Sequence, residues 1–483
     1  MSTDANGHAT GFDPSLYDMA KAPQIDSAGL LVPNTGTALN GVIMGGVNSP
    51  FGDAAARHVT KDFAPRIGAA WDPFETGKTS IRAGFGIFYD SPSVGTQENG
   101  EFSNPPFAQN ITISNTVLNN PGSVVADMNF LPPVLTVQQS DWKQPYVQEW
   151  SFDVQREVRH KWFVDAGYFG NKGTHLVGVI DINEPKPLAY VAAGISAPIT
   201  AGTTQLLNRV RPFLGYDAIN AFSSRFDSDY HALQVTMQKH FTGSSLISMN
   251  YTYSHGITNA QNDFRTSQNT YDLAAERGES QFDRRQVFNV SYIYELPFYK
   301  RQSGLTGHAF GGWEVSGIVH AYTGLPLTVT GGRAIDPAGL GLLDPNTFAG
   351  RRPDQVSNPN TGAPHTFTQW FNTAAYVNPP NAAGPPGYSR RGAVRGPGLQ
   401  RWDISLFKNT KIREGMSMQF RAEALQHLQP HQLRRDTIDE TVGQLRTGHQ
   451  HARPSDHATG AEVLLLGRKR SHGCLSGLWL ASF

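Results

Sequence analysis

The chain has 483 residues, enough for two or three soluble domains or for one large barrel. Its 40 Lys and Arg balance 40 Asp and Glu, so no net field points to nucleic acid or to an acidic substrate. Mean hydropathy is −0.37, and the absence of any run of about 18 apolar residues excludes a membrane-spanning helix, though not a spanning strand. Gly (49), Pro (31) and 11% aromatic residues disfavour long helices and suit strands joined by turns. Cys474 is the sole cysteine, which rules out a disulfide framework and a Cys-based zinc site. The opening residues, MSTDANGHATGFDPSLYD, hold no basic stretch followed by an apolar one, so no export signal is read there. The reading that follows is that the true N-terminus lies further upstream.

Alternation with period two recurs along the chain. Ser80–Tyr89 sets Ile81, Ala83, Phe85, Ile87 and Tyr89 against Arg82, Gly84, Gly86 and Phe88. Tyr146–Gln155 opposes Trp150, Phe152 and Val154 to Glu149, Ser151, Asp153 and Gln155. Trp162–Tyr168 and Leu246–Ser254 repeat the pattern, the latter with Ile247, Met249, Tyr251 and Tyr253 on one side. Phe288–Leu296, Trp313–Ala321, Trp402–Lys408 and Met416–Ala424 complete the series. Short links are predicted at Asp72–Thr79, Arg156–Lys161, His240–Ser245 and Asn409–Gly415. Long polar segments separate the hairpins: Asp90–Gln144, Gly170–Tyr230, His255–Arg285 and Thr323–Gln400. Compact soluble domains rarely contain several such loops, whereas outer-membrane barrels join short periplasmic turns to long extracellular loops. Aromatics at strand ends (Trp71, Phe88, Tyr89, Trp150, Trp162, Tyr168, Tyr294, Trp313 and Trp402) fall where interfacial girdles would lie. The fold expected is all-β, a transmembrane antiparallel β-barrel with long extracellular loops.

The local motifs carry a resemblance. FAPRIGAAWDPFETGKTSIRAGFGIFYDS (Phe63–Ser91), QPYVQEWSFDVQREV (from Gln144), YHALQVTMQKHF (Tyr230–Phe241) and MNYTYSHGI (Met249–Ile257) come first. FDRRQVFNVSYIYELPF (Phe282–Phe298), GGWEVSGIVHAYTGLPLTV (Gly311–Val329) and RGPGLQRWDISLFKNTKI (from Arg395) follow in the same order. Together they resemble the barrel of Oar-like TonB-dependent transporters over Phe63–Ala424. The resemblance implies a barrel of about 22 strands around a plug, against about ten strands countable here. It further implies residence in the bilayer of the outer membrane. The full-length parent would be served by a TonB-type energy-transducing complex that moves the plug. No ligand-binding residue carries over, and the ligand is unknown. In this division, residues 1–62 are an inter-strand loop segment, 63–424 the barrel portion, and 425–483 a tail.

That tail changes character. From Leu425 onward alternation stops and histidines accumulate, among them His427, His431, His449, His451 and His457. A His-rich metal-binding tail is one reading. The reading preferred is a frameshift: synonymous codons exist for Leu425–Arg434 and Gln444–Leu466 that, read one base later, spell FNIFNHTNF and a strand ending LGLKFYF before a stop. A tail without native structure is then expected, and with it a barrel edge that cannot be satisfied in lipid and a chain that does not work as a transporter.

No HExxH, P-loop, GxSxG elbow or paired-cysteine motif is present, so neither an enzyme nor a cofactor or metal site is expected. Gly84 and Gly86 are read as small lumen-facing residues of a strand. The charged stretch of Asp263, Asp272, Glu276, Glu279 and Asp283 with Arg265, Arg277, Arg284 and Arg285 reads as a solvated loop, or alternatively as a ligand-contact region. Asp336 and Asp344 lack calcium-loop spacing, and Trp142, Trp370 and Phe371 are assigned to loop packing. Two rival functions stand beside the transporter: a passive outer-membrane porin or surface adhesin, and a soluble secreted carbohydrate-binding β protein.

Overall fold

A computed structural model of the chain describes residues 9–57, 59–91, 102, 104–108, 131–196, 198–241, 243, 245–260, 267–331, 334–343, 351–366, 369–378, 383–413, 416–426, 438–439 and 459–467. Period-two segments become the strands of one sheet. They are β1 (Arg66–Trp71), β2 (Thr79–Tyr89), β3 (Tyr146–Val158), β4 (Trp162–Asp181), β5 (Ile219–His240) and β6 (Leu246–Thr258). β7 (Gln286–Glu295), β8 (Trp313–Tyr322), β9 (Leu399–Arg413), β10 (Met416–Gln426) and β11 (Thr459–Gly467) complete it. Each pairs antiparallel with the next in an uninterrupted meander, as an up-and-down barrel wall requires.

Links at one end are tight for local reasons. In the β1–β2 turn, Asp72 accepts from the backbone N–H of Phe74 (3.1 Å) and of Gly77 (2.7 Å), and Gly77 takes φ +67°. A carboxylate bonding its own following backbone holds such a turn closed. One connection at this end is longer than the rest: between β7 and β8 the chain makes a short helix, Gly304–Phe310.

The opposite end carries the long segments, and here the structure departs from the sequence reading. Gly170–Tyr230, expected as loop, opens and closes with strand: β4 runs on to Asp181 and β5 begins at Ile219. Ile219, Ala221, Phe222 and Phe226 are all buried, so this stretch is covered on both faces and shows no polar alternation to read. Leu135–Gln138 adds to it in parallel, and Thr10–Phe12 pairs with Val42–Met44 alongside. Phe12, Val42, Leu135, Val137, Ile180, Tyr216 and Ile219 form one apolar core there. Residues 9–57 therefore fold into a cap over the sheet's end. At about 1.5–3 kcal/mol per large buried side chain, that core outweighs a solvated loop.

A second core, Val329, Phe371, Ala375, Tyr376 and Val394, organises the segment between β8 and β9. Polar pins tie the β4–β5 segment to the strands it joins. Arg211, fully buried, bridges Asp181 at the end of β4 (3.1 Å) and Asp217 just before β5. Of the tail beyond Gln426 the described residues are Ile438–Asp439 and Thr459–Gly467, and the latter lies as β11 against β10, from Met416↔Gly467 to Ala424↔Thr459. An edge strand offers unpaired N–H and C=O groups that any extended, proline-free segment can meet, whatever its side chains.

Candidate functional site

The register sorts the side chains of the sheet into two chemically distinct faces. Residues directly opposite one another share a face. One row reads Ser80, Gln155, Asp165, Thr236, Asn250, Asn289, His320 and Arg401 across β2 to β9, polar at every strand. Thr236 Oγ1 donates to Asn250 Oδ1 (3.0 Å), and His320 pairs with Asn289. One residue along, the row is Ile81, Val154, Ala166, Val235, Tyr251, Phe288 and Ala321. The next row on that same side is Val164, Met237, Met249, Val290, Val319 and Trp402. Gly84 and Gly86 fall on the polar side, opposite Ser151 and Glu149, as read from the sequence.

The apolar side has finite height. On β4 it runs from Trp162 to Gly170, about 26 Å along the strand at about 3.3 Å per residue. With a tilt near 40° this is about 20 Å along the membrane normal, close to the ~25 Å apolar band of outer-membrane barrels. At its lower limit Lys239 lies over the Trp162 and Phe241 rings (5.1 and 4.7 Å), the snorkelled cation of an interface. At the upper limit Tyr168 Oη bonds His231 Nδ1 (2.7 Å), with Trp150 packed beside that imidazole. Above it the same side turns charged: Lys172 pairs with Asp229, and Arg277 bridges Asp227 and Asp229.

The charged stretch at this end is not a solvated loop. Glu276 is fully buried between Arg352 (2.9 Å) and Arg391. Asp283, also buried, takes Arg395 (2.6 Å) on one oxygen and the Gly256 N–H (2.7 Å) on the other, and His255 Nδ1 lies 3.8 Å away. Arg285 and Arg395 both reach Glu279. Arg284 stacks over Tyr322 at 3.9 Å, and Asp272 caps Ala275. The correction has a plain cause: Arg352, Arg391 and Arg395 come from the β8–β9 segment, too far along the chain for spacing to reveal. Asp263, Arg265, Asp344 and the five tail histidines lie outside the described residues.

Other residues singled out earlier land in packing roles. Trp142 is buried with Val179 and Phe222, and Phe371 sits in the second core. Trp370 donates its indole N–H to the Arg395 carbonyl (2.7 Å). Asp336 is buried and accepts from the N–H groups of Gly339, Gly341 and Leu342. Sequence reasoning passed over His255 and Glu184. Glu184 is buried, accepts from the Thr270 N–H (2.9 Å), and burial holds its carboxyl pKa well above the ordinary value. Tyr271 beside it donates to the Glu184 carbonyl (2.6 Å) and is pushed up to about 12, chiefly by burial. Among the described residues, His255, Glu279 and Asp283 form the one group of metal-type ligands close together, and arginines already engage both carboxylates.

A meander wet on one side, apolar on the other over a membrane-high band, and capped at one end by folded loops, is the wall of an outer-membrane β-barrel. The chain belongs to the outer membrane beta barrel domain family, whose model matches residues 1–453. Its place is the outer membrane. No curated protein matches it. Among solved structures it is similar to the outer membrane transporter YddB from Escherichia coli, at 10% identity and a TM-score of 0.38, over 75% of this chain and 37% of that one. The siderophore receptor PirA from Pseudomonas aeruginosa gives 10%, 0.31, 77% and 40% in the same order. The copper transporter OprC gives 8%, 0.31, 83% and 36%. The chain thus spans well under half the length of each of these relatives.

Proposed function

We propose that the chain forms part of the wall of a TonB-dependent outer-membrane receptor or transporter, working with a TonB-type energy-transducing partner of the inner membrane. The supporting observation is the polar row from Ser80 to Arg401 lying beside the apolar row from Ile81 to Ala321. Hydrocarbon tolerates no unpaired backbone, and a wet channel needs hydrogen-bonding side chains on its inner face. The family resemblance over Phe63–Ala424 narrows the wall to an energised receptor. Chemical cross-linking in intact cells of the native host tests it. Recovery of a TonB-type protein with the chain supports energised transport; an abundant membrane-embedded chain that never captures one favours the passive porin or adhesin. Recovery of the chain in the soluble phase without detergent would defeat the membrane reading outright.

The out-of-frame account of 425–483 belongs to the same proposal. It is supported by the end of period-two alternation at Leu425 and by the family-like strand that the shifted frame spells. Resequencing the gene decides the matter: an uninterrupted frame through Leu425 removes the frameshift.

A further inference from the structure

Just above the apolar band, and on its side of the sheet, lies a cavity of about 850 Å³. His255 and Ile257 line it, and both continue the file Ile247, Met249, Tyr251, Tyr253 along β6. His255 stands two residues beyond Tyr253, about 7 Å further along the strand. That is headgroup height, since interfacial layers add only about 5–8 Å to each side of the hydrocarbon. His255 and Ile257 thus place the cavity on the apolar side of the sheet, not on the side of the polar row.

Its lining is cationic. Arg277, Arg390, Arg391 and Arg395 face one lining carboxylate, Glu279, with Asn358 and Asn360 supplying amides. Acids fix three of these arginines: Glu276 holds Arg391, Asp283 and the lining Glu279 hold Arg395, and Asp227 with Asp229 holds Arg277. Each guanidinium has five N–H donors, so Arg277 and Arg391 keep donors in hand and are already ordered when a ligand arrives, whereas Arg395 spends its terminal nitrogens on Asp283, Gly324 and Glu279. Arg390, exposed, makes no side-chain ion pair among the described residues. Arginine forks match phosphate bidentately, amides suit sugar hydroxyls, and the volume suits a phosphorylated sugar.

We propose that this cavity is a headgroup site for a phosphate-bearing glycolipid of the outer leaflet. The proposal rests on the lipid-facing assignment of the apolar side. A soluble cargo bound here would sit outside the barrel with no route through it, whereas an anchored lipid would lay its chains along Tyr253, Tyr251 and Met249 below.

The test uses the full chain extracted from outer membranes in detergent. Its binding is measured to phosphatidylcholine vesicles doped with a diphosphorylated disaccharide lipid, to vesicles with the same lipid dephosphorylated, and to free glucosamine 1-phosphate. Binding at least fivefold tighter to the phosphorylated vesicles is expected. Arg390→Glu, on an exposed side chain that leaves the fold intact, should lower that binding at least fivefold. Equal affinity for the dephosphorylated lipid, or an Arg390→Glu variant that binds like the parent, overturns the proposal. So does free glucosamine 1-phosphate binding as tightly as the lipid, which would reveal a soluble phosphosugar site. A phosphate-blind chain that stays in the membrane fraction defeats this inference alone; a chain found soluble defeats the function on which it rests.

Discussion

Placing an arginine at the middle of the apolar band should cost far more than placing it one residue away. Val235 lies in the row Ile81–Val154–Ala166–Val235–Tyr251–Phe288, halfway up the band between Trp162 and Gly170 on the neighbouring strand. Thr236 lies in the polar row, bonded to Asn250. Neither side chain is buried by protein, so only the surrounding medium separates them. In a bilayer, Val235→Arg is expected to lose about 2–4 kcal/mol, and Ile247→Arg, near the lower edge, about 0–1 kcal/mol. Thr236→Arg should be nearly neutral. The larger figure shifts the folding constant by about 30- to 700-fold at ~1.4 kcal/mol per decade. Urea titration of the chain folded in vesicles, read by heat-modifiable gel mobility, measures all three. Equal costs at Val235 and Thr236, or a cost at Val235 that does not decline towards Ile247, would refute the two-faced wall.

Three further outcomes follow from the folded segments above the sheet. Glu276→Ala leaves Arg352 and Arg391 buried without their shared carboxylate, which should cost about 3–5 kcal/mol and appear as faster proteolysis of the β8–β9 segment. Gly324→Ala would set a Cβ 1.8 Å from the Gly396 carbonyl oxygen, where only backbone can yield. That substitution should cost about 1–3 kcal/mol and loosen Pro326–Leu327 from its partner strand, seen as faster amide exchange there. The raised pKa of Glu184 sets a pH dependence. Its proton is bound more tightly in the folded chain, so its contribution is full below the ordinary value of 4.5 and is lost as pH rises through the folded value. Glu184→Gln should therefore flatten the decline in cap stability above pH 4.5, measured by amide exchange at Thr270 and Tyr271; an unchanged slope would remove Glu184 as its source.

The wall could be read from the sequence because lipid and channel water impose opposite demands on successive residues. Ile247, Met249, Tyr251 and Tyr253 announce a strand and its outward side without any knowledge of their neighbours. The tight turn at Asp72 was legible for a similar reason, since its hydrogen bonds reach only five residues. The cap was not legible. Ile219–Phe226 is buried on both faces and shows no period, and Phe12 packs against Phe213 and Tyr216 from two hundred residues away. Nor could spacing show that Glu276 meets Arg391, so a buried ion network was read as a solvated loop.

Sequence alone thus determined the two-faced alternation of the strands, because that choice is made strand by strand against the medium on each side. Which strands neighbour one another in register, how the long segments close into a cap, and that arginines from the β8–β9 segment gather above the lipid band beside His255 were decided only by the tertiary structure. Contacts such as Phe12 with Phe213 and Glu276 with Arg391 join groups more than a hundred residues apart, and no local pattern encodes the partner of a side chain that distant.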